Sequence, residues 1–307
     1  MAAPEQTNVS RERLLHGMNA KQIGVLAVLC ASVMWATEPV LAKLAYRNST
    51  FLETSGVRAI FVMLIAFMYA AKTHRRDLTL RLRQLPPLLY IAVAGTLFAD
   101  LVYFFALSKI PVINATLIGH MQPIFIILFG LFSLKEERLT RYDGIGIAFM
   151  IASGLFVTTK TLPNLTQLRF GSIGDLLALC ATVAWATTAI AMRRYLRTMN
   201  AGVITFFRYM FASVAFVAYL VPTSSMRVAN VYQVFIGIVV AVGTILYYEG
   251  LKRIKAAQVS AVELATPFFA TLLGFLVLGE LVTPMQIVGI LMLPAGIYCL
   301  SKREELS

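Results

Sequence analysis

Charged side chains are scarce in this 307-residue sequence. Asp, Glu, Lys and Arg make up only 14% of it, whereas apolar residues make up 59% and the mean hydropathy is +0.76. Soluble globular domains are usually about 25% charged and about 45–50% apolar. A soluble enzyme of this length would need far more polar side chains to cover its surface. The composition therefore predicts an all-α integral membrane protein.

Cysteine and catalytic motifs are also nearly absent. The three cysteines, Cys30, Cys180 and Cys299, lie within apolar runs and have no spacing pattern, which predicts neither a disulfide framework nor a zinc site. The sequence contains no HExxH, P-loop or GxSxG motif, and these are the usual signatures of metalloproteases, nucleotide hydrolases and esterases. We therefore expect no metal, no cofactor and no enzymatic activity.

Long apolar runs fill most of the chain after a polar tail at residues 1–21. A helix needs about 20 mostly apolar residues to cross the hydrocarbon core of a bilayer. The first run is too long for the core of a signal peptide, so we interpret it as a retained helix. The ten predicted spanning helices cover residues 22–46, 51–71, 86–108, 111–133, 141–159, 172–195, 202–221, 230–251, 256–278 and 283–301.

The formal net charge of +12 lies mainly in the connectors between these runs. If the N-terminus is cytoplasmic, 19 of the 27 Lys and Arg residues fall on the cytoplasmic side and six on the other. Cytoplasmic connectors of membrane proteins carry such an excess. The distribution predicts that both termini are cytoplasmic and that the basic residues face membrane lipid, with no nucleic-acid partner.

The two halves of the sequence repeat each other. Residues 29–37 match residues 179–187 at an offset of 150, which pairs the only two tryptophans, Trp35 and Trp185. Repeats of five helices are inverted relative to each other because five is odd, and secondary transporters use this arrangement. We predict repeats at 22–160 and 171–303. Further matched pairs are Arg58 with Arg208, Tyr103 with Tyr247, Pro123 with Pro267, Glu137 with Glu280, and Gly146 with Gly289.

The paired order of these motifs resembles the drug/metabolite transporter superfamily, whose members contain two EamA-type repeats. The resemblance covers the chain from about residue 22 to 302. It implies a ten-helix secondary transporter, most often a bacterial inner-membrane exporter of amino acids or related metabolites. Exporters of amino acids, including aromatic ones, are the subgroup that it suggests. The spacing of the motifs does not itself indicate that substrate.

Ionisable residues within spans are costly and usually face a cavity or a partner. Glu38 lies one turn after Trp35, so both can line a cavity, where Glu38 would bind a substrate amine or a proton. Alternatively, Trp35 packs in the core and Glu38 pairs with a structural base. Arg58 and Arg208 are each predicted to attract a carboxylate or to latch a gate. Alternatively, each extends to the headgroups or pairs with a structural acid.

The fourth and ninth predicted spans each contain a proline that frees a backbone carbonyl and can act as a hinge, Pro123 and Pro267. His120 precedes Pro123 by three residues, and Glu263 precedes Pro267 by four. Both side chains are candidates for a substrate or proton contact near the midplane. The alternative for His120 is an ordinary core histidine whose hydrogen bonds are satisfied.

The remaining candidates are an acid and aromatic residues of the third, sixth and eighth spans. Asp100, Tyr103, Trp185 and Tyr248 are predicted to line an aromatic cavity with polar groups, although tyrosines near span ends also serve as ordinary interface anchors. Acidic residues near helix starts, Asp143, Asp175 and Glu280, are predicted to be caps.

Together these patterns predict a secondary transporter that exports amino acids by alternating access at a site between the repeats. The alternatives are an exporter of nucleosides, drugs or organic cations, a channel, or a membrane enzyme that modifies lipid. Acids without counter-charges in the cavity would favour cations, whereas an arginine reaching the cavity would favour zwitterions. We expect a monomer or a homodimer. The predicted substrate-binding residues are Trp35, Glu38, Arg58, Asp100, Tyr103, His120, Trp185, Tyr248 and Glu263, and the predicted gating residues are Pro123, Pro267 and Arg208.

Overall fold

The computed structural model consists of helices and short connectors in the part of the chain that it describes. Those residues are 20–73, 75–122, 124–126, 128–129, 141–167, 171–196, 199–223, 225–251, 253, 262–263 and 265–301. The helices are α1 (Ala20–Ala45), α2 (Phe51–Thr73), α3 (Leu85–Tyr90), a π-helix π1 (Ile91–Asp100), α4 (Leu101–Leu107), α5 (Val112–Gly119), α6 (Arg141–Thr159), α7 (Leu162–Thr166), α8 (Ile173–Tyr195), α9 (Ala201–Leu220), α10 (Val231–Leu251), α11 (Ala265–Leu278) and α12 (Pro284–Ser301), with short 3₁₀ turns at Arg75–Leu78 and Leu82–Gln84.

Six helical segments in this described part are long and apolar enough to cross a membrane, and further apolar helices are shorter. The prediction of an all-helical membrane protein is therefore confirmed. Pro123 and Glu137 lie outside the described residues, and so does most of the predicted tail. The six long segments are Gln22–Ala45, Phe51–Thr73, Leu82–Leu107, Ile173–Met192, Ala201–Leu220 and Val231–Gly250, and the shorter ones are Val112–Ile126, Gly144–Thr159, Ala265–Leu278 and Pro284–Gly296.

Helices from the two halves of the chain pack against each other. Helix α1 packs against α10 and α11, α2 against α9 and α10, α6 against α12, and α8 against π1, α4 and α5. Small residues allow the close approach, as expected where lipid offers no hydrophobic drive for association. A Cβ atom at Gly250 of α10 would overlap a methyl group of Val28 on α1, and one at Gly237 would overlap the Cβ of Phe61 on α2.

The third span is continuous from α3 through π1 to α4. It begins with Pro86 and Pro87 in the first turn of α3, where the missing N–H groups cost nothing. The π-helical stretch then ends at Asp100. Such stretches are rare and occur often at functional sites. Thr96 and Asp100, which lie one turn apart, are both buried and face α9.

Several connectors are joined by polar contacts at one end of the molecule, which we call the Glu280 end. Arg227 bonds to Glu53 there, and Glu280 bonds to the start of α5. Asn114 bonds to Asp175 at the start of α8. The described residues of the connectors at this end are 46–50, 108–111, 160–167, 171–172, 221–223, 225–230 and 279–283.

Candidate functional site

Arg58 is the most deeply buried charged side chain of an ionic cluster between the two halves of the chain. Its side chain is only 3% exposed, and its two terminal nitrogens donate to different carboxylates. Nη1 donates to Oε1 of Glu38 at 2.6 Å, and Nη2 donates to Oδ2 of Asp100 at 2.7 Å. Both acids belong to neighbouring spans, so Arg58 of α2 connects α1 to π1.

Arg208 completes the cluster from the second half of the chain. Its Nε donates to Oγ1 of Thr96 at 2.7 Å, and its Nη2 lies 3.2 Å from Oδ1 of Asp100. Two arginines thus oppose two carboxylates, and the formal charge of the cluster is zero. Neutrality matters here because an uncompensated charge buried away from water costs several kcal/mol.

Asp100 is the hub of this cluster. In addition to both arginines, it accepts a hydrogen bond from the indole Nε1 of Trp185 at 2.7 Å and one from the hydroxyl of Tyr209 at 3.3 Å. The guanidinium carbon of Arg58 also lies 4.4 Å from the ring centroid of Phe104. Hydrogen bonds to charged groups are about twice as strong as neutral ones, so these contacts fix the positions of Asp100 and of the cations around it.

Aromatic side chains flank the cluster in two matched pairs. The ring of Trp35 lies 4.9 Å from that of Tyr247, and the ring of Trp185 lies 5.0 Å from that of Tyr103. Each pair joins a tryptophan of one half to a tyrosine of the other half, and the four positions are those that the sequence repeat matches. Centroid separations of this size are typical of favourable aromatic contacts.

The other predicted residues lie around this core in separate surroundings. His120 has Nδ1 2.7 Å from the Thr116 carbonyl oxygen, so one of its ring nitrogens has a local partner. Glu263 shares a side-chain hydrogen bond with Tyr247, which places it beside one aromatic pair. The hydroxyl of Tyr248 lies 3.6 Å from Sδ of Met192. Pro267 is buried at the start of α11, and its carbonyl accepts a hydrogen bond from Thr271.

The ionic cluster has one deep side and one partly open side. The side chains of Arg58 and Asp100 are 3% and 7% exposed, whereas those of Glu38 and Arg208 are 17% and 20% exposed. Among the described residues, Oε2 of Glu38 and Nη1 of Arg208 have no hydrogen-bond partner in the protein. One acceptor atom and one donor atom of opposite charge therefore take no part in the hydrogen bonds between described residues.

Sequence reasoning missed three residues of the site: Thr96, Phe104 and Tyr209. Thr96 precedes Asp100 by one turn, and Tyr209 follows Arg208 directly, so their proximity to predicted residues was the only available signal. The described residues contain no group of three His, Cys, Asp or Glu side chains that could hold a metal ion. The groups that these residues do present are paired charges and aromatic rings.

The matched tryptophans provide a test of how the cluster is held. Trp185→Phe removes the indole donor to Asp100 but keeps an aromatic ring against Tyr103. A hydrogen bond to a charged group contributes about 1.5–3 kcal/mol, so we expect a clear fall in the thermal unfolding temperature in detergent. Trp35→Phe is the control, because the described residues offer no hydrogen bond to its indole, and it is expected to unfold closer to the parent. Equal effects of the two substitutions would contradict the positioning role of Trp185.

Comparison with known proteins gives a consistent result. A model of the EamA-like transporter family matches the chain over residues 22–159 and again over 172–302. An uncharacterized transporter of Synechocystis is 26% identical over 220 residues, which are 67% of this chain and 62% of that protein's length. The uncharacterized inner membrane transporter YhbE of Escherichia coli is 26% identical over 265 residues, 80% of this chain and 78% of YhbE.

Two further matches are a relative whose name states a substrate and a solved structure that shows the fold. The riboflavin transporter ImpX of Fusobacterium nucleatum is 23% identical over 195 residues, which are 61% of this chain and 65% of ImpX. A solved crystal structure superposes with a TM-score of 0.63 at 20% identity and covers 90% of this chain and 96% of its own. This second likeness shows a shared fold.

Proposed function

This chain belongs to the EamA-like transporter family, and on that premise we propose that it exports amino acids and related zwitterionic metabolites by alternating access across the bacterial inner membrane. The family and the helical composition make it a multi-pass membrane transporter of small molecules. The substrate class, the direction of transport and the membrane are the parts that we propose.

The topology that we propose contains ten crossings, arranged as inverted repeats at 22–160 and 171–303 with both termini cytoplasmic. The two aromatic pairs support it, because Trp35 contacts Tyr247 in the same way as Trp185 contacts Tyr103. Exchange of equivalent contacts between halves is expected when a pseudo-twofold axis relates them. Such an axis provides a central site that opens to alternate sides.

The observation that carries the substrate class is the neutral ionic cluster. Both acids, Glu38 and Asp100, have an arginine partner, so the site offers no excess negative charge to an organic cation. Each sign of charge also retains one atom without a hydrogen bond to another described residue, Oε2 of Glu38 and Nη1 of Arg208. A zwitterion with an ammonium and a carboxylate group matches this pair of charges.

We propose that the carboxylate of the substrate binds Arg208 and that its ammonium group binds Glu38. Trp35 and Trp185, with Tyr103 and Tyr248, then form the walls that contact the substrate's side chain. This gives Arg208 a binding role in place of the gate predicted from the sequence. His120 and Glu263 line the ends of this space, near the aromatic pairs, and Pro123 and Pro267 remain the proposed hinges.

Flux measurement in proteoliposomes tests the proposal directly. We expect purified protein to exchange labelled neutral amino acids, with unlabelled zwitterions competing and the corresponding amines, which lack the carboxylate, competing poorly. Arginine-to-carboxylate pairing is strong and directional, which is the reason for that discrimination. Flux of amines or organic cations without amino-acid flux would remove the substrate assignment and favour an exporter of drugs or cations.

Riboflavin and nucleosides belong in the same competition panel. One relative is named a riboflavin transporter, and the aromatic side chains around the cluster suit a flat ring. Competition by riboflavin that Arg208→Gln leaves unchanged would indicate recognition through the aromatic walls alone. That result would favour the second candidate substrate class over amino acids.

A further inference from the structure

The first turn of α5 is held by a residue that is distant in the sequence. Glu280 lies in the connector between α11 and α12, and both of its carboxylate oxygens lie 2.9 Å from the backbone nitrogen of Val112. Nζ of Lys43, on α1, lies 4.0 Å from the same carboxylate. The contact therefore joins the beginning of α5 to the second half of the chain and to α1.

A buried chain of two amides and one carboxylate makes a second connection at the same end of the molecule. Nδ2 of Asn114 donates to Oδ1 of Asp175 at 2.8 Å, and Nε2 of Gln286 donates to Oδ1 of Asn114 at 2.9 Å. These residues belong to α5, α8 and α12. Side-chain bonds thus hold the start of α5 against two more helices, and all of them lie at the Glu280 end.

Glu280 does not cap the helix that follows it, contrary to the expectation from its position in the sequence. Helix α12 is capped by Thr283 and Gln286, which exchange hydrogen bonds at its first turn. Glu280 instead supplies an acceptor to the orphan N–H at the start of α5, where the helix dipole also favours negative charge. A cap taken from another part of the chain exists only while the two segments stay together.

Helix α5 connects this contact to the aromatic residues of the proposed site. It runs from Val112 to Gly119, and a Cβ atom at Gly119 would lie 3.7 Å from the ring of Trp185 and 3.9 Å from that of Tyr103. A displacement at the start of α5 is therefore transmitted to the wall of the site along a single rigid helix.

We propose that Glu280 is a latch that holds the Glu280 end of the transport path closed and releases α5 when that end opens. The inference rests on the proposed function only in requiring a path that opens at alternate ends. Charge-assisted bonds suit this role because they are strong when the atoms meet and are replaced by water when the end opens. The adjoining cavity of about 370 Å³ between Lys109, Lys160 and Asp175 admits that water.

The first experiment measures how often the end opens. Thr116 of α5 is a buried reporter position, 4% exposed and one turn beyond Val112. Thr116→Cys is made after replacement of Cys30, Cys180 and Cys299 by alanine, and its reaction with a membrane-impermeant maleimide is timed. We expect Glu280→Gln to speed labelling about tenfold, because it weakens a charge-assisted cap. A separate Lys160→Cys variant reports which side of the membrane this end faces.

Glu53→Gln is the matched control. Glu53 caps its own helix α2 at the same end, by accepting a hydrogen bond from the backbone N–H of Thr50 at 2.7 Å. Like Glu280, it is a carboxylate at a helix start, but its described partners are Thr50 and Arg227 and do not include α5. We expect it to leave the labelling rate of Thr116→Cys unchanged. Equal acceleration by both substitutions would indicate general loosening and would overturn the latch.

A disulfide provides the opposite perturbation. A Cβ atom at Gly274 of α11 would lie 3.8 Å from the Cβ of Val112, which is the mean separation in disulfides. In the oxidised Val112→Cys/Gly274→Cys variant, we expect the labelling rate of the reporter cysteine and the flux each to fall at least about tenfold, because the cross-link prevents opening. Reductant should restore both, and each single variant should respond to neither treatment.

The outcomes separate the latch from the proposed substrate. Labelling requires no amino acid, so a protein that carries some other solute would still show the latch, whereas the flux panel would reject the substrate. Normal flux through the oxidised double variant, or unchanged labelling in a Glu280→Gln protein that unfolds at the parent temperature, would overturn the latch. If Glu280→Gln does not fold, the labelling and flux of the oxidised double variant test the latch in its place.

Discussion

Asp100→Asn is expected to abolish transport and to destabilise the protein more than any other single change in the ionic cluster. The substitution keeps the size of the side chain but leaves Arg58 and Arg208 facing the single carboxylate of Glu38. Removal of one partner from a buried ion pair costs about 3–5 kcal/mol. We expect a fall in the unfolding temperature of several degrees, measured by thermal unfolding in detergent, and a loss of flux of at least about a hundredfold.

The double variant Asp100→Asn/Arg208→Gln distinguishes charge from shape. It returns the cluster to neutrality with the Arg58–Glu38 pair intact, so much of the lost stability should return. Transport should remain absent, because Arg208, the proposed partner of the substrate's carboxylate, is gone. Coupled residues are expected to be non-additive in this way. A double variant less stable than Asp100→Asn alone would contradict the view that net charge governs the cluster.

Thr96→Val is the control for simple disturbance of π1. Thr96 is as buried as Asp100 and also bonds Arg208, but it carries no charge. Its loss should cost about 1–3 kcal/mol, the range for a buried hydrogen bond from which one partner is removed. If it matched Asp100→Asn in both stability and flux, the distortion of the helix, and not the charge, would explain the larger effect.

The sequence predicted the spans well because their signal is local. Apolar runs of the required length determine where helices cross a bilayer, and the helices of the structure begin and end within a few residues of most predicted spans, for example Ile173–Tyr195 against 172–195. The ninth span agrees less well, since α11 begins at Ala265 and residues 254–261 lie outside the described ones. The number of crossings and their orientation stay predictions.

The site could be predicted only as a set of residue types. Glu38, Arg58 and Asp100 were predicted from the cost of charge within a span, but the sequence did not indicate that one arginine contacts both acids, because that depends on how three helices rotate against each other. The π-helical stretch that ends at Asp100 also left no sequence signal. Glu280 illustrates the same limit, since a cap was expected but its helix partner was not.

Arg208→Gln is expected to raise the KM for amino acids by about 10- to 150-fold, because a hydrogen bond to a charged group contributes about 1.5–3 kcal/mol. It should also remove the discrimination between a zwitterion and the corresponding amine, which is measured by competition for flux. Arg208→Lys should recover little, since Arg208 reaches Thr96 and Asp100 through two separate nitrogens, whereas a lysine carries all its donors on one nitrogen. The control is Arg227→Gln, which removes a 65% exposed arginine bonded to Glu53 and should change neither quantity by more than a few-fold. Should Arg208→Gln lower the maximal rate without changing the preference for zwitterions, Arg208 acts in opening or closing the path, as the sequence first suggested, and the carboxylate of the substrate binds elsewhere.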